Sequence, residues 1–471
     1  MRNTLRRCTI GLAMLVAAAT GLTACSSAVS SSDTATSNEK ITAPGADALN
    51  GAGKVTLTFW HAMSGANGEA LQDLVNQFNS EHKGKIKVNL VFKRDYDPTL
   101  DSYKNASDAE RPDVVQIYDI GTRYMIDSNT VVPIQSFIDK DKATSEAFDT
   151  SDIQPNIAGY YTVNDKLYSM PFNTSMPLLY FNKDAFAKAG LDINKPPRTL
   201  DEIMTDARKI KQATGTGVQY GFGASLYGWF FEQSVAKANE TLCDADNGRK
   251  GRPTRVNLVT ANNLALMRWW KKMTDQGLAQ KLDSDTKKGD TAFTSGTSAI
   301  SLESTGSLGG FIADSKFKVG TGFFPKVSAS DAGGQIIGGA SLWVVGRGKD
   351  DKHKRAGWEL VKFLASPQSQ AEWHTKTGYF PISKKSLDTD IDKRWVAKNP
   401  QFSTAIRQLQ GTRLSTATQG CSVGVLPQIR KEVENAMQAV VLQGTDPKQA
   451  LSTAQQKSNE EIADYNSKLG G

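Results

Sequence analysis

The residue types that bind metals and phosphates are present in this chain, but not in the spacings that such sites need. The 471 residues include only four histidines, and no two have the His-x-x-x-His spacing of a zinc site. Gly348-Lys349 is followed by Asp350 rather than by serine or threonine, so it does not match a phosphate-binding loop. Carboxylates are abundant, but an arbitrary pair is weak evidence for a glycosidase. These absences argue against a zinc enzyme, and we expect no metal and no cofactor.

The N-terminus has the organisation of an export signal. Arg2, Arg6 and Arg7 precede a short apolar run that ends at Leu22, and Thr23-Ala24-Cys25 follows. Leu-Thr-Ala-Cys resembles the lipobox of bacterial lipoproteins, where the signal is cut before a cysteine that then carries lipid. The apolar run is too short for a permanent membrane helix. We predict a signal peptide at 1–24 and an extracytoplasmic protein anchored to the cell membrane through Cys25; the alternative is an ordinary signal with a chance cysteine.

Residues 25–53 are rich in Ser, Thr, Ala, Gly and Asp, which predicts a flexible tether between the lipid and the fold. From Lys54 onward roughly 418 residues remain, more than one core usually holds, so two lobes are expected. The formal charge of +7 falls to near +4 when the three signal arginines leave. Basic and acidic residues are interspersed, which argues against a nucleic-acid partner.

Two cysteines remain in the predicted mature chain besides Cys25. Cys243 and Cys421 both lie in turn-like stretches of an exported protein. The sequence leaves open whether they form one disulfide or stay as two buried thiols.

Apolar periodicity predicts an α/β fold. Residues 54–60 and 86–92 alternate as strands do, a helical pattern lies between them, and a third apolar run follows at 114–118. This β-α-β opening is typical of a lobe with a largely parallel sheet. Further strands are predicted at 177–182, 298–302 and 336–345, and further helices at 199–214, 260–275, 350–365, 428–442 and from Asp446-Pro447 to about 469.

Several long blocks resemble one known family. They are Phe59 to Gly65, Gly159 to Tyr161, Pro171 to Pro177, Tyr180 to Phe186, Ser304 to Leu308, Ile336 to Trp343, Trp373 to Pro381 and Pro427 to Arg430. In this order they resemble the periplasmic glycerol-3-phosphate-binding proteins of ABC importers, within the extracellular solute-binding group that includes maltose-binding proteins. The resemblance covers essentially all of residues 54–469.

The resemblance implies a two-lobed periplasmic-binding-protein fold of the class II type, with hinge crossovers and a ligand cleft between the lobes. It places lobe one at 54–173 plus 287–344. Lobe two then comprises 174–286 plus 345–471.

The family's ligand contacts carry over to eight positions of this sequence. They are Tyr96, Asp119, Ser175, Leu226, Ser304, Gly339, Tyr379 and Arg430. Arginine, hydroxyls and exposed backbone N–H groups suit a phosphate, and a carboxylate suits vicinal hydroxyls. Each position also has a structural alternative: a surface arginine, rim or core tyrosines, capping serines, a bulge glycine, a loop-capping aspartate or a packing leucine.

Two of these positions depart from the family. Asp119 stands where close relatives carry glutamate, and Leu226 stands where they carry tryptophan. A leucine predicts a wider cleft that admits a phosphodiester such as glycerophosphocholine. Tyr227 and Trp229 are then candidates to offer aromatic faces to its quaternary ammonium.

The resemblance thus implies a monomeric, lipid-anchored binding protein that passes a glycerol phosphate compound to the permease subunits of an ABC importer. One alternative is an oligosaccharide-binding protein, which would have no need of Arg430. Another is an extracellular hydrolase of glycosides or phosphodiesters, against which the missing metal-site spacing and the lack of a recognised Gly-x-Ser-x-Gly nucleophile motif weigh.

Overall fold

The computed structural model describes residues 41–470, which form twelve strands and eighteen helices. The strands are β1 (Val55–His61), β2 (Ile86–Phe92), β3 (Val114–Tyr118), β4 (Val131–Val132), β5 (Thr162–Val163), β6 (Lys166–Leu167), β7 (Met170–Ser175), β8 (Pro177–Asn182), β9 (Tyr220–Phe222), β10 (Ser298–Ser304), β11 (Val319–Phe323) and β12 (Gly338–Val345). The helices are α1 (Gly65–Glu81), α2 (Tyr96–Asn105), α3 (Thr122–Asp127), α4 (Ile134–Asp141), α5 (Pro155–Tyr161), α6 (Lys183–Lys188), α7 (Leu200–Gln212), α8 (Gly228–Lys237), α9 (Asp244–Gly248), α10 (Ala261–Asp275), α11 (Thr286–Thr294), α12 (Leu308–Asp314), α13 (Asp351–Leu364), α14 (Pro367–Thr377), α15 (Asp390–Lys398), α16 (Ser403–Gln410), α17 (Leu426–Gln443) and α18 (Pro447–Lys468).

Local sequence signals account for where the helices begin. Thr199 accepts a hydrogen bond from the Glu202 N–H and caps α7. Asp446 caps α18 through the Gln449 N–H, and Pro447 occupies the first turn, as the sequence predicted. No helix within 41–470 is both long enough and apolar enough to cross a bilayer.

Ten of the twelve strands form two mixed sheets, and β5 and β6 pair as a separate two-stranded sheet. The first has the order β2-β1-β3-β12-β4, with β7 also paired to β12. Its β1 is parallel to β2 and β3, as expected from the β-α-β opening, whereas β12 is antiparallel to β3, β4 and β7. The second sheet, β11-β8-β10-β9, has only one parallel pair, β9 with β10.

Sheet membership differs from the predicted lobe boundaries in two segments. Residues 287–344 were assigned to lobe one, but β10 and β11 pair with β8 in the second sheet. Residues 345–471 were assigned to lobe two, but α13 packs on β1 and β12 of the first sheet. Apolar periodicity identifies a strand but not its hydrogen-bonding partner, so it cannot assign a segment to a sheet. We retain the division into two lobes as a proposal, with β10 and β11 moved to lobe two and α13 moved to lobe one.

Each sheet is covered by helices that bury large apolar side chains. Leu71 and Phe78 of α1 pack with Trp358 of α13 in the core of the first sheet. Trp270 of α10 and Met437 of α17 belong to the core of the second sheet. Burial of such side chains stabilises the fold by about 1.5–3 kcal/mol each.

The predicted signal peptide, Cys25 and the first part of the predicted tether lie outside the described residues. The end of that tether, from residue 41, is packed rather than free. Pro44 is buried, Ile41 and Leu49 contact the core of the first sheet, and Ala46–Leu49 form a 3₁₀ turn against α13. The few apolar residues of this segment lie among many small polar ones, so its composition indicated a tether. The predicted end of the tether at residue 53 is therefore too far along the chain.

Cys243 and Cys421 form a disulfide, which decides the alternative that the sequence left open. It joins the N-cap of α9 to the loop before α17. The same two segments are also linked by the Ser422 N–H, which donates to the Asn247 carbonyl at 2.9 Å.

Candidate functional site

A cavity of about 660 Å³ opens where β3, β7 and β10 end. Carboxyl ends of strands in α/β sheets are the usual place for a ligand. Side chains from elements of both sheets line it, so it lies at the junction that the crossovers create. It brings together seven of the eight predicted residues: Tyr96, Asp119, Ser175, Ser304, Gly339, Tyr379 and Arg430.

Two tyrosines form one wall of this cavity. Tyr96 begins α2, where the Asp95 side chain accepts its N–H, and Tyr379 follows the left-handed Gly378 that ends α14. The Tyr96 hydroxyl accepts from Asn173 Nδ2 at 2.7 Å and lies 3.4 Å from the Tyr379 hydroxyl. Only glycine fits at 378, because a Cβ there would lie 2.6 Å from the Thr305 carbonyl oxygen. The tyrosine pair is therefore positioned by contacts within the protein itself.

Strand ends place the two serines and Gly339. Ser175 ends β7 opposite Gly338 of β12, and Ser304 ends β10. The Ser304 hydroxyl accepts from the Gly306 N–H at 3.0 Å, so it serves as a cap as well as a lining group. Gly339 has φ +92°, and a Cβ there would lie 1.9 Å from the Asn173 carbonyl oxygen. The backbone alone thus requires glycine at 339, whether or not a ligand binds there.

Arg430, the fifth residue of α17, is buried in a network of acids. Its Nε and Nη2 each donate to Glu232 of α8 at 2.7 Å, and Nη2 lies 3.5 Å from Asp119 Oδ2. Its Nη1 donates to the Tyr227 hydroxyl at 3.2 Å. Burial alone would lower the pKa of Arg430, but Glu232, Tyr227 and Asp119 together hold it well above its ordinary value. The guanidinium is therefore a fixed cation, oriented by Glu232, at the wall of the cavity.

Asp119 has the opposite electrostatic balance. Burial raises its pKa to about 7, and the Glu232 charge adds to this effect while Arg430 opposes it. Asp119 therefore titrates close to neutral pH, in contact with the guanidinium.

This titration predicts a pH-dependent stability. A carboxyl whose pKa is higher in the folded state takes up a proton on folding between about pH 4 and pH 7, so the free energy of unfolding falls as pH rises through that window. Asp119→Asn removes the effect. Between pH 5 and pH 8 the wild type should lose about 2–3 kcal/mol more than this variant, at 1.36 kcal/mol per pKa unit. Urea denaturation at several pH values measures the difference.

The matched control is Asp101→Asn, because the Asp101 side chain is 67% exposed on α2. It should follow the wild-type pH profile. Parallel profiles for the wild type and Asp119→Asn would contradict the raised pKa.

Leu226 is the one predicted residue that the cavity does not include. It is buried in the core of the second sheet, and its N–H donates to the Asp283 carbonyl at 2.8 Å. Trp229, three residues further on, lines the cavity instead, with its ring against Gly338. The argument that a missing indole widens the cleft therefore loses its support, because an indole is present.

Tyr227 also lines the cavity, but one face of its ring is taken. The Arg430 guanidinium carbon lies 5.4 Å from the ring centroid. That face is therefore not available to a ligand ammonium, and the hypothesis from sequence stays a prediction for the opposite face of Tyr227 and for Trp229.

Three buried acidic residues of the site were missed by the sequence reasoning. Glu232 holds Arg430, Glu434 accepts from the Gly228 N–H, and Glu303 lies at the end of β10. A signal existed only for Glu303, which directly follows the apolar strand residues 298–302 and directly precedes Ser304. Glu232 and Glu434 lie on helix faces that only tertiary packing turns toward the cleft.

One catalytic pattern was also overlooked. Residues 420–424 read Gly-Cys-Ser-Val-Gly, which matches the nucleophile-elbow sequence. The segment is an irregular loop, its cysteine is in the disulfide, and Ser422 is buried. The Nδ1 atom of each of the four histidines contacts another group, namely the Met63 N–H, the Phe78 carbonyl, Asp350 and Asp392, and within residues 41–470 no histidine is hydrogen-bonded to Ser422. The pattern therefore lacks both the strand-turn-helix context and the base of a hydrolase.

Two mixed sheets, repeated crossovers and a polar cavity at their junction define a two-lobed solute-binding protein. The chain belongs to the bacterial extracellular solute-binding protein family, whose sequence profile matches residues 73–404. Members of this family bind solutes and are not enzymes, so this chain is a solute-binding protein that acts outside the cytoplasm.

Relatives of known function are similar to this chain over most of its length. The chain is 33% identical over 414 residues to the sn-glycerol-3-phosphate-binding periplasmic protein UgpB of Escherichia coli K12, covering 86% of this chain and 92% of the relative. It is 34% identical over 412 residues to UgpB of Pectobacterium atrosepticum, covering 86% and 90%.

Solved structures show the same fold. UgpB of Mycobacterium tuberculosis in complex with glycerophosphocholine matches with a TM-score of 0.73 at 22% identity, covering 87% of this chain and 99% of that one. The GacH receptor of Streptomyces glaucescens, solved unliganded and with acarbose, matches with a TM-score of 0.72 at 21% identity, covering 87% and 99%.

Proposed function

We propose that this protein captures a glycerol phosphate compound outside the cell and delivers it to the permease subunits of an ABC importer. The ligand is sn-glycerol-3-phosphate or a glycerophosphodiester such as glycerophosphocholine. The observation that carries the proposal is Arg430, a buried guanidinium oriented by Glu232 at the wall of a cavity that also holds the Ser175 and Ser304 side chains. The protein works as a monomer anchored through lipid on Cys25.

The site suits a phosphate on one side and hydroxyls on the other. Arg430 provides a preorganised cation, and hydroxyl donors stand nearby at Tyr227 and the tyrosine pair. Asp119 is the acceptor for glycerol hydroxyls when it is ionised. Because the pKa of Asp119 lies near neutrality, the charge of the bound ligand shifts the balance between its protonated and ionised forms.

Ligand capture then couples to lobe closure. Residues of both sheets line the cavity, so a ligand that contacts both stabilises the closed arrangement. The permease recognises that arrangement, and no bond in the ligand is broken.

Calorimetric titration of the purified protein tests the proposal. We expect binding of glycerol-3-phosphate or glycerophosphocholine and none of maltose at the same concentration. Maltose is the control for the oligosaccharide alternative, which the aromatic lining and the fold shared with a receptor solved with acarbose would favour. Maltose binding without phosphate binding would overturn the proposal.

A further inference from the structure

The cavity carries more negative than positive side chains. Seven carboxylates line it, against only three cations. Each cation already has a carboxylate neighbour: Lys288 pairs with Asp283, Lys431 lies 3.4 Å from Glu434, and Arg430 lies 3.5 Å from Asp119. A ligand with only a phosphate would therefore meet an electrostatic environment that is unfavourable overall.

Among the remaining carboxylates of this lining, Glu303 is the buried one. Glu303 is 7% exposed, whereas the others, Asp95, Asp97 and Asp285, are exposed at helix N-termini. Within residues 41–470 no lysine, arginine or histidine lies within salt-bridge distance of it. Ionising such a group in isolation is costly, and a counter-charge would remove that cost.

One oxygen of the Glu303 carboxyl accepts a backbone hydrogen bond, and the other has no hydrogen-bond partner within residues 41–470. Oε1 accepts the Ser304 N–H at 2.6 Å. No hydrogen bond to Oε2 is made by the residues of the described range, and the side chain lines the cavity. Burial and the neighbouring Asp290 carboxylate raise the pKa of Glu303 well above its ordinary value. A cation in the cavity would favour the ionised form.

We propose that Glu303 is the counter-ion for a positively charged amine on the ligand. The ligand is then a zwitterionic glycerophosphodiester, with its phosphate at Arg430 and its amine at Glu303. This inference rests on the proposed function, because it needs the phosphate to lie at Arg430. It adds a second charged subsite, on β10, to the cleft.

The test compares ligands with and without an amine. Glycerophosphoethanolamine, glycerophosphocholine, glycerophosphoglycerol and glycerol-3-phosphate are titrated into the purified wild type and into Glu303→Gln. We expect the variant to bind the two amine ligands at least about tenfold more weakly, as for loss of one charged contact. The two ligands without an amine should bind unchanged or more tightly. An equal change for all four ligands, or none, would overturn the inference.

Glutamine keeps an oxygen for the Ser304 N–H, so the local fold should persist. Glu240→Gln, a half-buried glutamate away from the cavity lining, is the matched control and should leave all four affinities unchanged. A measurement on the wild type alone also decides the matter, because glycerophosphoglycerol must bind more weakly than the amine diesters. If none of the four binds the wild type, the proposed function itself fails. If they bind without preference for an amine, only the cation subsite is wrong.

Discussion

Arg430→Gln is expected to weaken binding of glycerol-3-phosphate or glycerophosphocholine by at least about a hundredfold. Hydrogen bonds to charged groups contribute about 1.5–3 kcal/mol each, and two such bonds from one guanidinium to a phosphate account for this factor. Arg430→Lys should recover little of the loss, because an ammonium cannot bind Glu232 through two parallel bonds and still reach the ligand. Calorimetric titration measures both variants.

The same substitution should also destabilise the fold. Without the guanidinium, the Glu232 and Asp119 carboxylates face each other in a buried site. Breaking a buried ion pair from one side costs about 3–5 kcal/mol. A loss of binding could then reflect unfolding alone.

A double variant separates the two effects. Arg430→Gln combined with Glu232→Gln removes both charges of the ion pair. Most of the free energy of unfolding should then be recovered, while ligand affinity stays low. Arg407→Gln, an exposed arginine on α16, is the surface control and should change neither property. A folded Arg430→Gln protein that keeps wild-type affinity would contradict the role of Arg430.

Removal of the disulfide is expected to lower the stability of the fold strongly without changing ligand affinity. Cys243 and Cys421 are 178 residues apart in sequence, and closing a loop of that length is worth about 5 kcal/mol in the chain-entropy description. Because native disulfides typically deliver somewhat less, we expect Cys243→Ala with Cys421→Ala to lower the free energy of unfolding by about 3–5 kcal/mol. Urea denaturation measures this loss.

Reductant provides the internal control. It should destabilise the wild type by a similar amount and leave the double variant unchanged. Neither cysteine lines the ligand cavity, so the double variant should bind ligand with wild-type affinity under conditions where it remains folded. Equal urea midpoints for the wild type and the double variant would show that the bond does not constrain the unfolded chain.

Local features of the fold followed from the sequence because their causes are local. Alternating apolar residues identified β1 and β2, a short apolar run identified β3, and the Asp446-Pro447 pair identified the start of α18. Such signals act within a few residues, through side-chain direction and backbone capping. The resemblance to the glycerol phosphate binders supplied the cleft residues, and seven of its eight positions do line one cavity.

Relations between distant segments were decided only by the tertiary structure. No local pattern assigns β10 to the second sheet, pairs Cys243 with Cys421, or puts Trp229 rather than Leu226 at the cavity. The charge pairs of the site were likewise decided by the tertiary structure, because Glu232 and Arg430 are 198 residues apart in the chain. The sequence alone determined what the segments are and to which family they belong. The balance of charge around the ligand arose only when packing brought those segments together and excluded water from between them.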